Sequence, residues 1–138
     1  MVRRLYFYSM PDVVINKEVF YNPVDFVLKK LGGTWKIPVL WRLRVKTWRY
    51  TELQKDIHHI SQKMLTQTLK ELEAEGFVQK KVYAEVPPRT EYSLTPRGQK
   101  AVEVITYLRN YGLELMKEQG IDYEEMIRRE KQEKNQKP

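Results

Sequence analysis

No cysteine occurs anywhere in the 138-residue chain. Disulfides, thiolate zinc sites, thiol nucleophiles and thiol redox sensing are therefore all excluded. The only histidines are the adjacent pair His58 and His59. As metal ligands or a general base they would need ligand-spaced carboxylates, which do not surround them, and adjacent side chains are expected to point in different directions. The competing reading is a turn that meets phosphate or solvent. Phosphate-cradling glycine loops and nucleophile motifs are missing as well, so no catalytic residue, cofactor or metal is expected and the chain does not read as an enzyme. No apolar run approaches the ~20 residues that cross a bilayer, and Arg3 and Arg4 are not followed by a continuous hydrophobic region. The expected compartment is the cytoplasm, without a membrane partner.

What is present is a basic chain of one-domain size. Lys and Arg number 25 against 18 Asp and Glu, a net charge of +7, and 41% of residues are apolar, enough for a core. The balance favours an anionic partner without requiring one. From Asp122 to Pro138 acidic and basic residues are equal in number, so the whole excess lies in the folded body.

The chain is organised around the stretch from His59 to Val78. Ser61 is a good N-cap and Gly76 a left-handed stop, which together mark out one helix of about four turns. Wound at about 100° per residue, Met64, Leu65, Thr68, Leu69 and Leu72 share one arc, and Lys63, Thr66, Gln67 and Lys70 the opposite one. Two ammonium groups, an amide and a hydroxyl, with no carboxylate before Glu71, can read DNA. Gln bonds adenine bidentately, Lys meets guanine or phosphate, and a helix fits the major groove. An ordinary solvated helix face has the same residues, so the neighbours decide.

Before this helix, Thr51 is placed to cap a short helix with Leu53 and Ile57 as its apolar points, after a strand at Trp48-Arg49-Tyr50. Two short helices joined by the His58-His59-Ile60 turn form a helix-turn-helix. After it, Phe77 to Tyr83 and Thr90 to Leu94 form a hairpin whose tip is stiffened by Pro87 and Pro88. A hairpin in that place is a wing, and Lys80, Lys81 and Arg89 would bring positive charge to the DNA backbone or minor groove.

Upstream, Pro23 opens a helix with Val24, Val27, Leu28 and Leu31 on one stripe and Phe26 pointing away, a sign of a second contact surface. Thr34 is placed to cap a helix through about Arg44, whose Trp35, Ile37, Val39, Leu40, Trp41 and Leu43 make it the buried centre. Leu5, Phe7 and the Val13-Val14-Ile15 run could form short extended pieces around Pro11, packed on their own domain or on a partner subunit. Downstream, Thr95-Pro96 opens a helix to about Gln119. Its apolar arc of Ala101, Val104, Ile105, Leu108, Tyr111, Leu115 and Met116 is too wide for one domain to cover, so a homodimer is expected. A short helix from Asp122 should fray by Gln132.

In combination, Leu31 to Leu43 (LGGTWKIPVLWRL), Arg49 to Leu53 (RYTEL), Ile60 to Val78 (ISQKMLTQTLKELEAEGFV) and Tyr83 to Gly98 (YAEVPPRTEYSLTPRG) resemble the HxlR-type winged-helix transcription regulators, relatives of the MarR-like group. The resemblance spans about Pro23 to Gly120 and implies a dimeric DNA-binding regulator. Many members carry a Cys-Pro pattern before the first helix, where this chain has Tyr21-Asn22-Pro23, so thiol sensing does not carry over.

The expected fold is mainly α with a small β-hairpin, a winged helix-turn-helix with flanking dimerisation helices. It divides into an N-terminal arm (1–22), the DNA-binding domain (23–95), a dimerisation helix (96–120) and a charged tail (121–138). Expected DNA contacts are Ser61, Gln62, Lys63, Thr66, Gln67 and Lys70 from the recognition helix, Lys80, Lys81 and Arg89 from the wing, and Arg49 and Thr51 on the backbone. The expected subunit interface contains Phe26, Val104, Leu108, Tyr111 and Leu115. The partner is double-stranded DNA bearing an inverted repeat. An unidentified small-molecule effector stays open, with Trp41, Tyr107 and Tyr111 as an aromatic cleft or simply a packed aromatic core. The rival function is a winged-helix protein scaffold that never touches DNA.

Overall fold

The computed structural model describes residues 13–136. Leu5, Phe7 and Pro11 of the expected arm lie outside the described residues, as do Lys137 and Pro138. The arm's last part is a small hairpin, β1 (Val13–Ile15) antiparallel to β2 (Glu18–Phe20). Its turn places Asn16 and Lys17 at positive φ.

Helix α1 (Pro23–Leu31) begins where Asn22 accepts a hydrogen bond from the Asp25 amide at 2.8 Å, with Pro23 at the first position, where its missing N–H costs nothing. Helix α2 (Lys36–Leu43) starts later than Thr34 would have it: Trp35 is the N-cap, without a side-chain bond to the backbone. It is also less uniformly buried than its composition suggests. Val39, Leu40 and Leu43 are buried, Ile37 is exposed, and Trp41 is half-buried.

Strand β3 covers only Trp48–Arg49, and Tyr50 already belongs to α3 (Tyr50–Asp56), which makes Arg49 rather than Thr51 the cap residue. As the first residue of that helix, Tyr50 carries its phenol to the next helix. Helix α4 (Gln62–Ala74) matches its expected span, with Ser61 Oγ accepting from the Met64 amide at 3.1 Å and Gly76 at φ +80° past its end. Strands β4 (Val78–Tyr83) and β5 (Arg89–Leu94) form the wing, and β3 pairs on β5, giving the order β3-β5-β4. Trp48 and Lys80 both lie opposite Tyr92 in this register.

Helix α5 (Pro96–Glu118) is capped by Thr95, whose hydroxyl accepts from the Gly98 amide at 3.1 Å. Helix α6 (Tyr123–Gln136) runs past the expected fraying point at Gln132. Asp122 caps it, and pairs such as Glu125–Arg129 and Glu130–Lys134, each one turn apart, keep its surface supported.

The core is one cluster joining α2, α3, α4, the wing base and α5: Leu40, Leu53, Leu65, Leu69, Leu72 and Val78 are fully buried, with Ala101 and Ile105 closing it. At roughly 1.5–3 kcal/mol for each fully buried aliphatic side chain, this cluster fixes the orientation of α4. Met64 is not part of it. Although on the edge of the apolar arc, it remains 41% exposed.

Candidate nucleic-acid interface

Helix α4 buries Leu65, Thr68, Leu69 and Leu72 and turns Gln62, Lys63, Gln67 and Lys70 outward. Thr68 is accommodated in the core because its hydroxyl donates to the Met64 carbonyl at 2.7 Å. Of the expected recognition residues, Ser61 is occupied as the helix cap, and Thr66 is half-buried with its hydroxyl 2.8 Å from the Tyr50 phenol. The same phenol donates to the Gln62 carbonyl at 3.1 Å. Tyr50 thus ties the first helix of the pair to the second, and the Thr66 hydroxyl is engaged in that tie. Tyr50→Phe is expected to lower stability by about 1 kcal/mol, the usual worth of such a hydroxyl, read as a lower urea midpoint with unchanged slope.

Gln67 is oriented by its neighbours. Its Nε2 donates to Glu71 Oε1 at 3.0 Å, and Glu71 Oε2 lies 3.6 Å from the nearly buried ammonium of Lys36. The Gln67 amide holds the Glu71 carboxyl below the ordinary carboxylate range, against the opposing effect of burial and with lesser help from Lys36. Sequence reasoning placed Glu71 only as the end of the cationic face. Its signal was the Gln–Glu spacing of one helical turn.

The wing faces the start of α3 across a cleft of about 400 Å³ lined by Arg49, Tyr50, Thr51 and the tip from Glu85 to Thr90. Arg49 and Thr51 are exposed there, Arg49 lying 3.7 Å from Glu52. Arg89 differs from the expected free wing cation. It sits 3.2 Å from both Glu85 and Glu91 and covers the Tyr83 ring at 4.1 Å, so its charge is already offset and it organises the tip. Lys80 and Lys81 are exposed. As successive strand residues they project to opposite faces, so a duplex along one face meets one of them and a ribbon entering edge-on meets both.

The other expected residues divide between two places. His58 and His59 form a turn, but their rings do not diverge: His59 adopts φ +65°, which brings the ring centroids to 3.9 Å. Among the described residues no cluster of three or more His, Asp or Glu is arranged to hold a metal ion. Trp41 carries the guanidinium groups of Arg44 at 3.8 Å and Arg109 at 5.4 Å on its ring. Tyr107 and Tyr111 are exposed, so the three rings form neither an aromatic cleft nor the packed aromatic core.

On the side away from α4, Val104, Leu108, Tyr111 and Leu115 of α5 are exposed, as are Val24, Val27 and Leu28 of α1. A groove of about 230 Å³ floored by Val27, Leu31, Ala101 and Val104 joins the two helices into one apolar surface. Phe26 also lines that groove. It turns back onto Phe20, ring centroids 4.8 Å apart, and is half-buried, while the stripe opposite it faces out. The hairpin β1–β2 supplies the cover that the α1 sequence by itself does not reveal.

The architecture of two short helices, a following hairpin and a long closing helix matches known proteins closely. A family model for the HxlR-like helix-turn-helix covers residues 30–120. The chain belongs to the HxlR-like family. An HTH-type transcriptional regulator of Methanothermobacter thermautotrophicus is 40% identical over 89 residues, 64% of this chain and 68% of that one. The regulatory protein MalR of Fusobacterium mortiferum is 37% identical over 99 residues, 71% of this chain and 93% of that one. Among solved structures, a MarR-family regulator from Porphyromonas gingivalis superposes with a TM-score of 0.63 at 40% identity, covering 67% of this chain and 90% of that one. This HxlR-like protein is accordingly a transcriptional regulator with a helix-turn-helix DNA-binding domain, not an enzyme. No helix among the described residues is long and apolar enough to cross a membrane.

Proposed function

We propose that this HxlR-like regulator binds an inverted-repeat operator as a homodimer, with α4 in the major groove of each half-site and the wing on the backbone or minor groove. The observation that carries the reading is the two-sided character of α4: four core-facing residues fix it in place while Gln62, Lys63, Gln67 and Lys70 stand out in one exposed stripe. A helix held rigidly by its back and presenting amide and ammonium groups suits base-edge recognition. Arg49 and Thr51 line the cleft beside the wing and suit backbone contacts that position the reader without choosing sequence. Lys80 and Lys81 are the wing's exposed cations, and Arg89 supports them by holding the tip.

The joined apolar face of α1 and α5 supports the dimer. A contiguous apolar surface of this kind is rarely left in water, and a two-fold pairing through α5 would set two α4 helices toward half-sites about one helical turn apart. In this reading residues 23–95 are the reader, 96–120 the dimerisation helix, and the site of action is the cytoplasm.

The test is a nuclease footprint on DNA upstream of the protein's own and neighbouring genes. A protected inverted repeat with two half-sites about 10 base pairs apart is the expected result. Absence of any protected sequence, together with binding no tighter than to random duplex, would favour the protein scaffold instead.

A further inference from the structure

On the proposed placement of α4 in the major groove, one residue that touches no base sets how the base is read. A glutamine amide is nearly symmetric in shape but opposite in polarity at its two ends, and its last torsion is broad and two-fold. Turned one way it offers an acceptor where, turned the other way, it offers a donor. A free Gln67 would therefore read two patterns.

Gln67 is not free. Its Nε2 donates to Glu71 Oε1 at 3.0 Å. A carboxylate only accepts, so the flipped amide would set oxygen against oxygen. Glu71 is itself anchored: its other oxygen lies 3.6 Å from Lys36 Nζ, whose side chain is only 12% exposed and which donates to the Lys30 carbonyl at 3.1 Å. The relay thus runs from the end of α1 through Lys36 and Glu71 to the reader face. With one amide hydrogen committed to Glu71, Gln67 has its oxygen and its second hydrogen left, side by side. That pair complements the N6 amine and N7 of adenine.

We propose that Glu71 is the specificity-positioning residue of this regulator, locking the Gln67 amide in the polarity that selects adenine. The role has a signature that a merely structural residue lacks. Glu71 also brings a negative charge to the DNA face, so removing it should strengthen binding to every duplex while weakening the choice among duplexes.

The experiment uses the full-length protein and a duplex site enriched by the wild-type protein from random-sequence DNA. Affinities for that site, for its single-base variants and for random duplex are compared among wild type, Gln67→Ala, Glu71→Ala and Glu71→Gln. Gln67→Ala should lose about 10-fold of discrimination at one base pair per half-site. Glu71→Ala should lose most of the same discrimination at the same base pair, with higher affinity for random duplex. Glu71→Gln removes the charge and leaves one carbonyl oxygen for two donors, Lys36 and Gln67, so it should show the higher random-duplex affinity and lose discrimination at that base pair as Glu71→Ala does. Glu71 is exposed and Lys36 retains Glu75 at 3.9 Å, so the variants should fold, checked by unchanged melting. If Gln67→Ala changes discrimination and Glu71→Ala does not, the positioning role is overturned while α4 remains the reader. If Gln67→Ala itself changes nothing, the placement of α4 fails and the proposal with it.

Discussion

Replacing both Leu108 and Leu115 with glutamate should convert the proposed dimer to a monomer and reduce operator affinity by about 10²–10⁴-fold, the usual contribution of joining two binding sites. Both leucines are exposed on the protomer, flanking Tyr111 along one face of α5. In a dimer packed through that face, the new carboxylates would be desolvated without partners, a cost of several kcal/mol. In a monomer they would stand in water on a helix that tolerates glutamate well. Sedimentation equilibrium should therefore show the monomer mass, with circular dichroism still that of a folded winged helix. A dimer that persisted in the double variant would move the interface to another surface, with the exposed Val24 and Leu28 of α1 the next to test.

The second large effect is expected at Gly98, which sits where the wing base, α4 and α5 meet. A Cβ on Gly98 would stand 2.0 Å from the Phe77 carbonyl oxygen, a backbone atom that cannot swing aside. That oxygen accepts from the Thr95 amide at 3.1 Å, and the Thr95 hydroxyl in turn caps the Gly98 amide, so relief of the clash breaks the junction. Alanine is normally the better helix former by about 1 kcal/mol. Here overpacking should win: Gly98→Ala is expected to destabilise the fold by about 3 kcal/mol, seen as a lower urea midpoint. A midpoint unchanged or raised would show that the start of α5 shifts freely, contrary to the geometry. Because Phe77 precedes β4 directly, residual folded protein should also bind DNA less tightly through a displaced wing.

Some of these features are legible in the linear sequence and others are not. The glycine and proline punctuation around α4 and α5 is local chemistry: Ser61, Gly76 and Thr95-Pro96 mark their helix ends because capping involves only residues three or four apart. The recognition helix, the wing and the long closing helix follow from such marks together with apolar periodicity. Boundaries set by distant partners are less legible. Tyr50 belongs by propensity to a strand, yet its phenol bonds Thr66 on the next helix and the residue becomes helical. Phe26 looks outward on a helical wheel, but the β1–β2 hairpin packs against one side of it through Phe20, so that it is half-buried while still lining the groove between α1 and α5. Arg89 and Gln67 show a different limitation. Counting charges and amides identifies groups able to contact DNA, whereas Glu85, Glu91 and Glu71 decide which remain free and in what orientation.

In the proposed reading α4 chooses the sequence while the wing supplies sequence-independent attachment. It is tested most directly by measuring affinity for the enriched site and its single-base variants across a range of salt concentrations. Three proteins are compared: wild type, Gln67→Ala and the double variant Lys80→Ala, Lys81→Ala. Gln67→Ala should cost roughly 1–3 kcal/mol of discrimination at one base pair per half-site and leave the salt slope unchanged. The lysine variant should weaken all sequences evenly and reduce the slope by about 0.9 for each phosphate that is no longer neutralised, with base preference intact. If neither variant altered affinity, base preference or slope, α4 and the wing would not be the DNA-binding elements, and the winged helix would have to be understood as a protein-binding scaffold.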